Sequence, residues 1–155
     1  MSGPLFFEEI ESDLSYTTSG IVVTESHVVQ FAGLSGDFFD VHMDDEFARD
    51  LGFPGRIAHG LLGLAMIDGL KNRATTMLAA VATLEWTYRF LKPVLLGDRI
   101  QGRIRVLDKR TTKRPDRGIV RLQIEVRNQH QVLIQEGINT LMVRTRTAAA
   151  TGLAA

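Results

Sequence analysis

The stretch HGLLGLAMIDGLK, residues 59–71, decides the fold because it is apolar on nearly every side of a helix. A helix without a polar face is typical of a protein core. At ~1.5 Å per residue, such a helix is about 20 Å long, enough to cross the middle of a small domain. Gly60, Gly63 and Gly69 weaken it intrinsically, but they let a sheet or a ligand approach closely. We therefore predict a buried central helix from His59 to Lys71.

Strands are predicted after this helix, because apolar and polar residues begin to alternate. The alternation is visible in 85–90, 100–106 and 120–127. This period is typical of half-buried antiparallel strands. A last run, 131–144, mixes both faces and is also predicted as strand. Helices first and a meander of strands afterwards indicate an α+β domain, in which one face of the sheet covers the apolar helix.

The residues before the central helix predict two short helices with a loop between them. Thr24 is suited to cap a helix that ends near Ser35 and Gly36. Asp44 is a candidate N-cap for a second helix over 45–50. We interpret 37–41 as the loop that joins them.

Length and composition favour a single globular domain. The chain has 155 residues, of which 45% are hydrophobic, enough to form a core at this size. Lys plus Arg equals Asp plus Glu at 18 each, and this balance argues against broad nucleic-acid binding. The absence of Cys excludes disulfides and thiolate metal sites. We expect one domain over 1–146 and a flexible tail over 147–155.

Neither a signal peptide nor a membrane span is expected. The N-terminus lacks a basic segment followed by a long apolar one. The longest apolar stretch, 61–67, is too short to cross a bilayer. We therefore expect a cytoplasmic protein without a membrane or nucleic-acid partner.

A second informative stretch is GDFFDVH, residues 36–42, which places a carboxylate and an imidazole five residues apart. Histidine side chains have a reference pKa of ~6.5 and can act as neutral bases near pH 7, which makes His42 the candidate base. The carboxylate of Asp37 can orient the same water molecule. Gly60 lies near the start of the central helix, where free N–H groups and the helix dipole favour negative charge. Together these residues can activate water and stabilise an oxyanion.

The stretches FAGLSGDFFDVHMD, residues 31–44, and IAHGLL, residues 57–62, together resemble the MaoC-like (R)-specific enoyl-CoA hydratases. The resemblance extends over about 20–143. It implies a hotdog fold, in which a curved antiparallel sheet wraps around a long central helix. It also implies a homodimer, or a larger homo-oligomer built from dimers.

The resemblance implies a reaction as well: the reversible addition of water across the C2=C3 double bond of a 2-enoyl thioester, giving an (R)-3-hydroxyacyl thioester. Asp37 and His42 match the catalytic pair, and the N–H of Gly60 matches the donor to the thioester carbonyl. The substrate would be an acyl-CoA or an acyl-carrier thioester. No cofactor is expected beyond the coenzyme A of the substrate, and no grouping of His, Asp and Glu has convincing metal spacing.

The chain departs from the usual family motif between the catalytic residues. That motif has Asn-Pro after one variable residue, where this chain has Phe39 and Asp40. The Asn amide contributes hydrogen bonds beside the catalytic pair, which Phe39 cannot do, and Asp40 adds a negative charge. The change bears on the identity of the acyl group more than on the class of reaction. We therefore include Phe39 and Asp40 among the candidate substrate-binding residues.

Three further polar residues are candidates for substrate binding. Asp44 would lie near the site while it caps a helix, and His59 would stand at the start of the central helix. Asp68 is a carboxylate on an otherwise apolar helix, where an unpaired buried charge is costly. It can face the acyl pocket, face a dimer partner, or pair with an arginine.

Two other functions remain open at this point. A hotdog thioesterase would use a helix carboxylate to activate water at the carbonyl, and Asp68 keeps this hypothesis open. A non-catalytic hotdog subunit would shape the acyl tunnel of a partner and would be expected to lack the acid–base pair. The presence of Asp37 and His42 argues against both alternatives.

Overall fold

The computed structural model describes residues 3–146, so the tail predicted over 147–155 lies outside the described residues. The helices and strands run in the order of the predicted α+β layout, with one strand before the helices. After a 3-10 helix at Phe7–Glu9, the elements are β1 (Ser15–Val22), α1 (Glu25–Ser35), α2 (Asp40–Met43), α3 (Asp45–Asp50), α4 (Gly60–Lys71), β2 (Ala80–Phe90), β3 (Arg99–Thr111), β4 (Arg117–Arg127) and β5 (Leu133–Arg144). Among these residues, no helix combines the length and apolar character needed to cross a membrane.

The five strands form one antiparallel sheet in the order β1-β3-β4-β5-β2. β2 and β3 are consecutive in the chain but not adjacent in the sheet. β2 lies at one edge and β3 lies next to the opposite edge, so their connection runs across the sheet. This connection is bound to the segment that leads into α4: Ile57 bridges Leu95, and the N–H of Ala58 donates to the carbonyl of Val94 at 2.8 Å. The start of α4 is thereby held beside the end of β2.

The hydrophobic core lies between α4 and one face of the sheet. Its fully buried side chains come from both layers, and alternation along the strands directs them toward the helix. They include Ile67, Ile100, Ile104, Leu122, Ile124 and Val126. Burying each such aliphatic side chain is worth roughly 1.5–3 kcal/mol.

The prediction that α4 is buried on every side was wrong. Leu62, Ile67 and Leu70 are buried, but Leu61 is 60% exposed. A five-stranded sheet covers only one side of a helix, so the opposite side at the start of α4 faces outward. The apolar character of that side has another explanation, since Leu61 lines a cavity.

The predicted helix caps are confirmed. Thr24 accepts a hydrogen bond from the N–H of His27 at the start of α1, and Gly36 ends α1 at φ 80°. Asp44 caps α3 by accepting from two backbone N–H groups. The loop predicted over 37–41 is shorter than expected, because one helical turn, α2, already begins at Asp40.

We expect Ile67→Ala to lower the free energy of unfolding by about 2–5 kcal/mol, because it leaves a cavity in the centre of the core. Leu34→Ala is the control, since Leu34 is 86% exposed on α1. It should change stability by less than about 0.5 kcal/mol. Urea unfolding followed by circular dichroism measures both. Similar losses for the two variants would contradict this account of the core.

Candidate active site

The chain path between α1 and α2 brings the Asp37 carboxylate close to His42. Gly36 ends α1 in the left-handed conformation, which favours glycine. Asp37 then accepts the N–H of Phe39 at 3.3 Å, an Asx-type contact that fixes its side chain. Asp37, His42 and His59 each present one ligand-type atom within 4.8 Å of the others. Asp37 is thus both a turn residue and a neighbour of the imidazole.

A backbone carbonyl determines which nitrogen of His42 is free. Nδ1 of His42 lies 2.8 Å from the carbonyl oxygen of Ile57. Because a carbonyl oxygen only accepts hydrogen bonds, Nδ1 carries the proton and donates it. Nε2 is then the unprotonated nitrogen of the neutral ring and is available as a base. Burial of the ring protects this arrangement from water.

His59 supports both members of the pair. Its Nε2 lies 2.8 Å from the carbonyl oxygen of Asp37, to which it donates by the same reasoning. Its ring stacks on His42 with centroids 3.8 Å apart and planes at 29°, and Phe31 packs on it at 5.0 Å. Among residues 3–146, Nδ1 of His59 has no hydrogen-bond partner. The geometry makes His59 a positioning residue for Asp37 and His42.

By residue type, the group Asp37, His42 and His59 could also hold a metal ion, although the sequence spacing did not indicate one. A metal lies in the plane of each ligating imidazole, about 2.0–2.1 Å from its nitrogen. Two stacked rings with nearly parallel planes do not meet at one such point. The geometry therefore suits a water molecule held between Asp37 and His42 better than a cation.

A cavity of about 470 Å³ opens between the start of α4 and the end of β2. Its volume lies in the range that accommodates small-molecule ligands. His42, Gly60, Lys92 and Gln135 contribute to its wall. The other lining residues are apolar: Phe53, Ile57, Ala58, Leu61, Phe90, Leu91, Pro93 and Val94. Such a wall suits an acyl chain.

Gly60 begins α4 and lines this cavity beside His42. The N–H groups of a first helical turn have no partner within the helix, and the dipole there favours negative charge. A Cβ at Gly60 would lie 2.9 Å from the ring of Phe90. Glycine therefore allows Phe90 to close on the helix start.

Three of the predicted substrate-binding residues are not among the described residues that line the cavity. The ring of Phe39 packs edge-on against His42 and Phe47, with centroids 6.4 Å and 5.7 Å away. Asp40 is the exposed first residue of α2, and Asp44 caps α3. The structure thus gives these three residues local structural contacts.

Asp68 lies two turns along α4 from Gly60 and is also not among the described residues that line the cavity. Its carboxylate pairs with the buried ammonium of Lys71 at 2.7 Å, and Lys71 donates to Asn139 at 2.7 Å. The partner is therefore a lysine rather than the arginine considered above. The i,i+3 spacing on a helix was a signal for this pair in the sequence.

Sequence reasoning missed Gln135, a buried residue of β5 that lines the cavity. Its signal was a polar side chain inside the strand predicted over 131–144. That signal is weak, because the run mixes both faces and gives no indication of which residue of the helix lies opposite.

We expect neutral His42 to carry its proton on Nδ1 and neutral His59 to carry it on Nε2, because each faces a backbone carbonyl through that nitrogen. Two-dimensional ¹H–¹⁵N spectra of the imidazole rings distinguish the tautomers. His130, exposed in a turn, is the internal reference. A His42 protonated on Nε2 would remove the proposed base.

Comparison with known proteins places this chain in a family. A family model described as MaoC like domain matches residues 9–128. Protein MaoC of Klebsiella aerogenes is 36% identical over 112 residues, which are 72% of this chain and 33% of that protein. The (R)-specific enoyl-CoA hydratase of Rhodospirillum rubrum is 28% identical over 141 residues, 91% of this chain and 93% of that protein. The chain thus spans a third of the first relative and nearly all of the second.

Solved structures support the same assignment. The MaoC-like dehydratase from Rhodospirillum rubrum has a TM-score of 0.82 at 27% identity, covering 92% of this chain and 98% of that one. A Mycobacterium tuberculosis protein with a double hotdog fold has a TM-score of 0.82 at 18% identity, covering 92% and 44%. The second likeness concerns the fold alone, and the predicted hotdog fold is confirmed. Because the family model covers most of the chain, this protein belongs to the MaoC-like dehydratase family.

Proposed function

We propose that this chain adds water reversibly across the C2=C3 double bond of a 2-enoyl thioester to give an (R)-3-hydroxyacyl thioester. The observation that carries the proposal is His42, whose Nδ1 lies on the Ile57 carbonyl and leaves Nε2 free. His42 lies close to the Asp37 carboxylate and, with Gly60, lines the cavity. Its family membership and relatives named (R)-specific enoyl-CoA hydratase support this function.

In the hydration direction, one water molecule lies between His42 and Asp37. A separation within 4.8 Å allows a single water to hydrogen-bond to both groups. Nε2 of His42 takes a proton from this water as its oxygen forms the bond to C3. The electron pair of the double bond moves toward the thioester oxygen, and the proton held by the pair is then delivered to C2. General acid–base catalysis of this kind contributes about 10²–10⁴-fold.

The thioester oxygen becomes more negative as the new bond forms, and Gly60 supplies the donor for it. Its N–H stands at the positive end of the α4 dipole, beside an apolar wall that excludes water. A donor that is already oriented favours the charged transition state over the ground state. The acyl chain occupies the apolar part of the cavity, and coenzyme A or an acyl-carrier arm remains outside.

The thioesterase hypothesis depends on Asp68, which pairs with Lys71 away from the described cavity lining. The Asp68 carboxylate is engaged by the Lys71 ammonium at 2.7 Å and is not free to hold a water molecule. The structure therefore favours hydration at C3 over attack on the carbonyl, and the assay below distinguishes the two.

We also propose that the protein is a homodimer joined through β2. This strand pairs only with β5, so its other side is a free sheet edge within the described residues. The edge exposes Val81, Leu84 and Phe90. Free apolar edges are natural sites of strand pairing. A partner along β2 would stand close to the cavity, because Phe90 lines it.

We expect Asp37→Asn and His42→Gln each to lower the rate of enoyl-CoA hydration by at least ~10²-fold, because each removes one half of the acid–base pair. Loss of the ultraviolet absorbance of the conjugated thioester measures the rate, for a panel of enoyl-CoAs and acyl-carrier thioesters with EDTA present throughout. Asp13→Asn and His130→Gln, both at exposed positions, are the matched controls and should retain full activity.

Three results would contradict the proposed reaction. Full activity in the two site variants would exclude the acid–base pair, and release of free thiol would indicate a thioesterase. A folded wild-type protein that is inactive across the panel would favour the non-catalytic subunit.

We expect a mass near twice 17.2 kDa in sedimentation equilibrium. Leu84→Lys should shift the protein toward monomer, because it places charge in the apolar contact of β2. Val22→Lys on β1 is the matched control, since Val22 is 47% exposed and Leu84 is 49% exposed, each on an outer strand of the sheet. Dissociation by the control alone would place the interface on β1 instead.

A further inference from the structure

Gln135 is a buried polar side chain of β5, a strand that contributes Ile134, Leu141 and Val143 to the core. It is only 1% exposed, and it lines the same cavity as His42 and Gly60. Burying a primary amide costs free energy unless its groups are hydrogen-bonded. The partners of the amide therefore indicate what it does.

Two hydrogen bonds hold the Gln135 amide in one orientation. Its Nε2 donates to the carbonyl oxygen of Gly60 at 3.3 Å, and its Oε1 accepts from the hydroxyl of Tyr88 at 3.1 Å. Burial raises the pKa of the Tyr88 hydroxyl above its ordinary value, so the hydroxyl remains a donor. Reversing the amide would set Oε1 against the Gly60 carbonyl, which also only accepts, so the bond to Gly60 fixes the orientation of the amide.

Two glycines leave the space that this arrangement occupies. A Cβ at Gly63 would lie 2.6 Å from Nε2 of Gln135, so the amide lies directly against the second glycine of α4. A Cβ at Gly137 would collide with the ring of Tyr88. The close approach of strand side chains to the helix therefore depends on glycine in both layers.

We propose that Gln135 is a positioning residue for the oxyanion donor and that Tyr88 orients its amide. The N–H and the carbonyl of Gly60 lie in two peptide planes that meet at its Cα, so a bond to the carbonyl restrains the plane next to the one that carries the N–H. The first turn of a helix is otherwise prone to fray. Stabilisation of a developing charge requires a donor that is already oriented. This inference rests on the proposed function, because it assigns Gly60 the role of donor.

A positioning role of Gln135 would affect the kinetics in a way that a purely structural role would not. The acyl chain contacts the apolar wall, which Gln135 does not form, so ground-state binding should change little. The transition state depends on the direction of the Gly60 N–H. Loss of Gln135 should therefore lower kcat and leave KM nearly unchanged.

The test compares Gln135→Met, Tyr88→Phe and the double variant in the hydration assay. Methionine has a similar length and cannot form either bond. We expect Gln135→Met to lower kcat about 10-fold with KM within about threefold. Tyr88→Phe should cause a smaller loss, and the double variant should be no slower than Gln135→Met, because the two residues act through one contact.

Gln123→Met is the matched control. Gln123 is a partly buried glutamine on β4 whose amide accepts from Arg105 at 2.7 Å, and it is not part of the cavity lining described above. The kcat and KM of the Gln123→Met variant should equal those of the wild-type protein. An unchanged kcat in Gln135→Met, an equal loss in Gln123→Met, or a change confined to KM would overturn the proposal.

A second readout does not depend on activity. Backbone ¹⁵N relaxation reports the order parameter of the Gly60 N–H, which is near 0.85 in rigid backbone and below about 0.6 in flexible backbone. We expect it to fall in Gln135→Met and to stay unchanged in Gln123→Met. An unchanged value in Gln135→Met would refute positioning even if hydration is observed. Conversely, a wild-type protein that does not hydrate enoyl thioesters refutes the proposed function, while this measurement still decides the role of Gln135.

Discussion

The contacts of Ile57 hold together the parts on which the site depends. Its N–H donates to the carbonyl of Val41 at 3.2 Å, its carbonyl accepts from His42, and it bridges Leu95 of the β2–β3 connection. One residue thereby ties α2, the segment before α4 and the crossing connection to each other. Because the backbone of Ile57 is hydrogen-bonded in this way, His42 and the start of α4 are held in fixed positions relative to each other.

The two buried histidines have similar surroundings but different roles in the proposed reaction. Each ring uses one nitrogen on a backbone carbonyl, Nδ1 in His42 and Nε2 in His59. This choice leaves Nε2 of His42 free in a residue that lines the cavity, while His59 supports the Asp37 backbone. Stacking of the rings at 3.8 Å couples the two tasks, because neither ring can turn without displacing the other.

The contacts of Phe39 and Asp40 explain how the loop is held although the chain departs from the family motif there. Phe39 fills the space between His42 and Phe47 with an aromatic edge, where the usual motif has an amide. Asp40 begins α2, where a negative charge is favourable at a helix N-terminus. The loop is thus held by packing and helix formation in place of the Asn-Pro pair. An apolar ring in place of an amide makes this side of the site less polar.

The sequence alone determined the features that depend on neighbours in the chain. The caps at Thr24 and Asp44, the central helix and the strand alternation follow from local preferences and from period. The close spacing of Asp37 and His42 predicted a candidate acid–base pair. Only the tertiary structure decided which histidine nitrogen is free, which side of α4 is exposed, and that Gln135 reaches Gly60. These contacts join residues 15 to 75 positions apart. No local pattern encodes them, because they depend on how the sheet is laid against the helix.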